Sequence, residues 1–86
     1  MQTCSMVIQC AQGLHARPCT ALAVSARSFN SNITLTFHGS VYDMCDPISL
    51  MTAGVVAGDE IILTVSGNDE EEAMAALKKI FEEDLL

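Results

Sequence analysis

Positive charge is scarce in this chain. Four Lys and Arg stand against eleven Asp and Glu, a formal net charge of −7 over 86 residues. Nucleic acid and anionic membrane surfaces both require clustered cations, so neither partner class is expected. No apolar run reaches the ~18–20 residues of a membrane-spanning helix. The first ten residues lack the basic start and unbroken apolar block of a signal peptide, so a soluble cytoplasmic protein is expected. Paired cysteines are also missing: Cys4, Cys10, Cys19 and Cys45 form no C-x-x-C motif. That spacing argues against a metal site or a redox centre, and no cofactor is implied. Cys4 and Cys10, read on one strand, would lie about 20 Å apart at ~3.3 Å per residue, too far to bridge. Reduced thiols serving as small apolar residues fit better.

What is present points to one small domain over residues 1–86. Half the residues are apolar, too many for a disordered chain. Cys4, Met6, Ile8 and Cys10 alternate with polar residues, apart from Val7, which predicts a half-buried strand ending at Gln12-Gly13. From Ala16 to about Ser28 the apolar period lengthens. Cys19, Leu22, Ala23 and Ala26 then share a helical face. Ile33, Leu35 and Phe37 mark a second strand, His38-Gly39-Ser40 a turn, and Val41-Tyr42 a short third strand. Asp46-Pro47 starts a short helix, an acidic cap before proline at the first helical position. Gly54 and Gly58 follow as sites of sharp turns, and Ile61, Leu63 and Val65 mark a fourth strand. Asp69 and Glu72 have capping-box spacing before a last helix striped by Ala73, Ala76, Leu77, Ile80 and Phe81. The order β-α-β-β-α-β-α, with strands apolar on one side, predicts an α+β open-faced sandwich. Its four-stranded antiparallel sheet would carry three helices on one face.

Chemistry concentrates in Gly13-Leu14-His15-Ala16-Arg17-Pro18. A glycine turns the chain, and a helix begins directly after His15. A histidine at such a place is, on position alone, more often a cap or a surface residue. Its neighbours argue for more. A helix N-terminus offers N–H groups and partial positive charge to anions. Arg17 adds a permanent charge with forked donors suited to phosphate, and Pro18 fixes the first turn. Phosphoryl transfer through the His15 ring needs these parts. The backbone amides of Ala16 and Arg17, with the Arg17 side chain, would stabilise the phosphoryl oxygens.

This motif closely resembles the active-site motif of the HPr family, the histidine phosphocarriers of the bacterial phosphoenolpyruvate-dependent sugar phosphotransferase system. The element order resembles that family over nearly the whole chain, and the stretch from Asn68 to Leu85 resembles its C-terminal helix. The resemblance implies a stoichiometric carrier rather than an enzyme. His15 would accept a phosphoryl group through Nδ1 from phosphorylated enzyme I and pass it to an enzyme IIA protein. A monomer would suit such a carrier. Two variants of the reading stand beside it, a regulatory phosphorelay of the nitrogen-branch type and a contact-only regulatory module.

The implied partner surface is the first helix around Thr20, with Arg27, and the short second helix with Ile48 and Met51. For Ile48 and Met51, packing into the core is an equally open reading. Asp46 stands where many family members carry a regulatory serine. The docking face is poor in lysine, and Val24 is apolar where a polar residue is common. Both features predict weaker electrostatic steering toward an acidic partner. Glu82, Glu83 and Asp84 read as a solvated helix end.

Overall fold

The computed structural model describes residues 1–84. Four strands and three helices follow one another as β1 (Gln2–Val7), α1 (Ala16–Arg27), β2 (Asn32–Phe37), β3 (Ser40–Asp43), α2 (Pro47–Thr52), β4 (Glu60–Ser66) and α3 (Glu70–Asp84). Leu85, the last position of the expected helix, lies outside the described residues. The strands form one antiparallel sheet in the order β1-β4-β2-β3. Both β1 and β2 are antiparallel to the β4 strand between them, so they run parallel to each other. A parallel pair needs a crossover, and α1 supplies it. By the same reasoning α2 carries the chain from β3 across to β4.

The register puts Cys4, Leu63, Leu35 and Tyr42 in one row and Ser5, Ile62, Thr36 and Val41 in the next. The first row faces the helices, where Leu35 and Leu63 are fully buried. The second faces outward and keeps Ile62 and Val41 exposed. Period-two alternation therefore sorts the strands cleanly into a core face and an open face. Val7, the apparent exception in β1, points outward. The helices close the core with Cys19, Leu22 and Ala26 from α1, Leu50 from α2, and Ala73, Met74, Leu77 and Phe81 from α3. Between β2 and β3, His38 and Gly39 both take positive φ (51° and 78°), the geometry of a tight two-residue hairpin.

Three local expectations change. The first strand ends at Val7 rather than running to Cys10. Beyond it the Ile8 N–H donates to the Asp59 carbonyl and the Ile8 carbonyl accepts from Gly58, so the backbone turns to serve the loop before β4. The expected box between Asp69 and Glu72 gives way to a longer-range clamp. The Asp69 carboxylate accepts the Asn30 N–H and the Ser31 hydroxyl, tying the end of the α1–β2 connection to the start of α3. Glu70 instead accepts the Gly67 N–H and pairs with the Met1 ammonium. Met74, absent from the expected stripe, is buried in the core. All four cysteines are free thiols, and burial pushes the Cys19 thiol up, as suits an apolar filler.

The Ser31 and Asn30 bonds hold the Asp69 carboxyl below the usual carboxylate range. A depressed folded value stabilises the fold above the unfolded value, about pH 4, and the contribution fades as pH falls below that. Asp69→Asn should therefore lower stability near neutral pH and flatten its decline on acidification. Urea denaturation of both chains between neutral and acid pH checks this.

Candidate functional site

The site starts with a glycine that no other residue could replace without strain. Gly13 has φ +64, and a Cβ there would lie 2.4 Å from the Val55 carbonyl oxygen and 2.8 Å from the Val56 Cα. The missing side chain lets the β1–α1 loop settle on the loop joining α2 to β4. The Leu14 N–H completes the docking by donating to the Val55 carbonyl at 3.1 Å, and the Leu14 side chain is buried. His15 is thus presented by a backbone anchored on its N-terminal side.

On its C-terminal side His15 is the N-cap residue of α1, with extended backbone (φ −104, ψ −177). Its ring makes no capping hydrogen bond to the helix, although the N-cap position invites one. His15 is half-buried, and its ring is unused in capping that helix end. The helix ladder begins with the Cys19 N–H donating to the His15 carbonyl at 3.2 Å. Ahead of it the Ala16 N–H has no carbonyl one turn back, and Pro18 brings no N–H at all, so its ring costs no bond. Pro18 is buried, whereas Ala16 and Arg17 are exposed. The structure therefore brings His15, Ala16 and Arg17 together at one helix N-terminus, an anion-favouring place.

The other expected residues spread along α1 and α2. Thr20 is exposed, its hydroxyl donating to the Ala16 carbonyl at 2.9 Å. Arg27 is exposed at the far end of α1, and its Nε donates to the Cys45 carbonyl at 2.9 Å. It therefore also braces the turn before α2. Asp46 caps α2, its carboxylate accepting the Ile48 N–H at 3.0 Å. Ile48 is 64% exposed, whereas Met51 is half-buried against the core, so the two differ in what they offer a partner. Val24 is also 64% exposed on α1.

The sequence reading missed Val56, which is 57% exposed beside Gly13, and Asp59, whose carboxylate accepts the Val56 N–H at 3.0 Å. Gly54 and Gly58, both at positive φ, were the available signal for a structured loop here. No enclosed pocket and no cluster of three metal-ligating side chains occurs among the described residues. Any chemistry at His15 therefore takes place at the surface, where a second molecule can reach it.

Comparison with known proteins gives the family. Residues 2–83 match the PTS-HPr family model, described as the PTS HPr component phosphorylation site. The chain belongs to the HPr family. The phosphocarrier protein HPr of Mycoplasma capricolum is 35% identical over 75 residues, covering 87% of this chain and 84% of that protein. That of Mycoplasma pneumoniae is 34% identical over 83 residues, covering 95% and 94%. A solved Mycoplasma histidine-containing phosphocarrier protein superposes with a TM-score of 0.93 at 32% identity, covering 95% of this chain and 93% of that one.

Two substitutions test the local geometry. Gly13→Ala forces a β-carbon against the Val55 carbonyl at a left-handed φ and should cost about 2 kcal/mol or more. Asp46→Ala should cost about 1 kcal/mol through the lost cap, whereas Asp46→Ser should retain most of it. Urea midpoints at constant m-value measure both.

Proposed function

We propose that this HPr-family chain is a stoichiometric phosphoryl carrier whose acceptor is Nδ1 of His15. It would take the group from phosphorylated enzyme I and donate it to enzyme IIA proteins of sugar uptake, as a cytoplasmic, monomeric, single-domain protein. The observation carrying this reading is the half-buried His15, whose ring sits at the N-terminus of α1 without capping it. A ring held there for structure alone would be expected to use its nitrogen on the first-turn amides.

In the transfer the Nδ1 lone pair attacks phosphorus. A nitrogen–phosphorus bond forms, and the bond from phosphorus to the donor's leaving atom breaks, its electron pair staying with the donor. The three phosphoryl oxygens then face the Ala16 and Arg17 amides, the helix dipole and the Arg17 guanidinium, all of which favour negative charge. The reverse attack by an acceptor returns the ring. Positioning and charge stabilisation are most of what such a transfer demands, which suits a surface site completed by its partner.

The partner would rest on Thr20 and Val24 of α1 and Ile48 of α2, with Arg27 at the margin. With only Arg17 and Arg27 cationic on α1, docking should depend more on apolar contact than on long-range attraction. Its rate should fall only shallowly with added salt.

Phosphorylation by enzyme I and phosphoenolpyruvate, followed by intact mass, tests the reading. One acid-labile phosphoryl group is expected on the unaltered chain and none on His15→Ala. Arg17→Ala should slow the transfer about a hundredfold. An unmodified chain in the presence of active cognate enzyme I would sink the carrier reading in favour of a contact-only regulator.

A further inference from the structure

The peptide unit joining Val55 to Val56 is held at both ends. Its carbonyl accepts the Leu14 N–H at 3.1 Å, and its N–H donates to Asp59 Oδ2 at 3.0 Å. Leu14 directly precedes His15. Asp59 is itself fixed by separate bonds, its N–H donating to the Val56 carbonyl at 3.1 Å and its carbonyl accepting the Ile8 N–H at 2.9 Å. The Gly58 N–H on the Ile8 carbonyl, at 2.7 Å, secures the same corner to the end of β1. The carboxylate therefore stands on a frame tied to the sheet. The peptide plane between it and Leu14 cannot rotate without breaking a bond on one side or the other.

Two physical effects make this arrangement more than a loop brace. A carboxylate is a stronger acceptor than a neutral oxygen, so the Val56 N–H bond is charge-assisted. A peptide whose N–H donates to a charge is polarised, and its carbonyl becomes a better acceptor for the next donor in line. That next donor is Leu14. Gly13 completes the contact, because any side chain there would collide with the same Val55 oxygen.

We infer that Asp59 is a positioning residue for phosphoryl transfer at His15, acting through the Val55–Val56 peptide and the Leu14 backbone. The inference deepens the carrier reading and rests on it for its kinetic consequence. Asp59 contributes no group to the reacting atoms. It sets where the backbone ahead of the imidazole lies, and a small displacement of a nucleophile is costly to transfer.

The test combines amide hydrogen exchange at Leu14 with steady-state phosphorylation by enzyme I. Three variants are compared with the unaltered chain: Asp59→Ala, Asp59→Asn and Asp69→Ala. Asp59→Ala should speed Leu14 exchange about tenfold beyond any change in global opening, as loss of a charge-assisted bond implies. It should also lower kcat about threefold to tenfold with KM little changed. Asp59→Asn keeps an oxygen acceptor but loses the charge assistance, and should recover part of both. Asp69→Ala cuts a carboxylate clamp beyond the other end of α1 and should lower global stability without moving kcat.

Leu14 protection unchanged in Asp59→Ala would overturn the inference, as would an equal kcat loss in Asp69→Ala. Equal impairment of the Ala and Asn variants with Leu14 still protected would also overturn it, by making a through-space effect of the charge, rather than the bond, responsible. An unaltered chain that accepts no phosphoryl group would remove the carrier reading and the kinetic claim together. Leu14 exchange would then still decide whether Asp59 holds the loop.

Discussion

The hydrogen bond from the Leu14 N–H to the Val55 carbonyl joins two loops far apart in sequence, and the site depends on that junction. On one side it fixes the chain as it leaves β1; on the other it organises the connection from α2 into β4. The sheet supplies the frame for both, since β1 and β4 are paired neighbours from Gln2 opposite Val65 to Val7 opposite Glu60. Helix α1 then departs directly after His15. A mobile loop at this point would leave His15 to wander, and an entropy cost would fall on every transfer. Docking against a buried Val55 and a glycine with no β-carbon pays that cost during folding.

Electrostatics divides the molecule into regions with different tasks. The cations of α1 are Arg17 and Arg27, at its two ends, while both lysines lie on α3. Arg17 lies in the first turn of α1, two residues after His15, and Arg27 holds the Cys45 carbonyl next to the capped start of α2. Two acidic groups at the start of α3 have structural partners: Asp69 with Asn30 and Ser31, Glu70 with Gly67 and the N-terminal amine. The chain can therefore be strongly acidic overall and still present a locally anion-favouring helix end. Its exposed apolar side chains on α1 and α2, Val24 and Ile48, offer contact that salt does not screen.

Much of this was legible in the sequence because it is local. Alternation in β2 and β4, the Asp46-Pro47 start of α2 and the helix beginning after His15 each depend on residues within a few positions. Nonlocal partners account for the failures. Asp69 has the spacing of a capping box, yet its carboxylate finds better donors in Asn30 and Ser31 across the fold. The alternation through Cys10 is real as burial, but Ile8 leaves the ladder for Asp59 and Gly58, so the strand stops at Val7. For Met51, open between core and partner surface in the sequence, the fold decides: it is half-buried against the core. The contact that seats the site, Gly13 on Val55, joins positions whose pairing no periodicity reveals. A glycine followed by a histidine and a helix start gives the place of the chemistry but not the surface it rests against.

In the carrier reading, the first turn of α1 holds the phosphoryl group that His15 receives. Amide proton shifts before and after phosphorylation test it most directly. The Ala16 and Arg17 amide protons should move strongly downfield on donating to phosphoryl oxygens, while amides of the open sheet face, such as Thr34 and Thr64, stay in place. Unmoved first-turn amides in a protein phosphorylated on His15 would contradict the role given to the helix end.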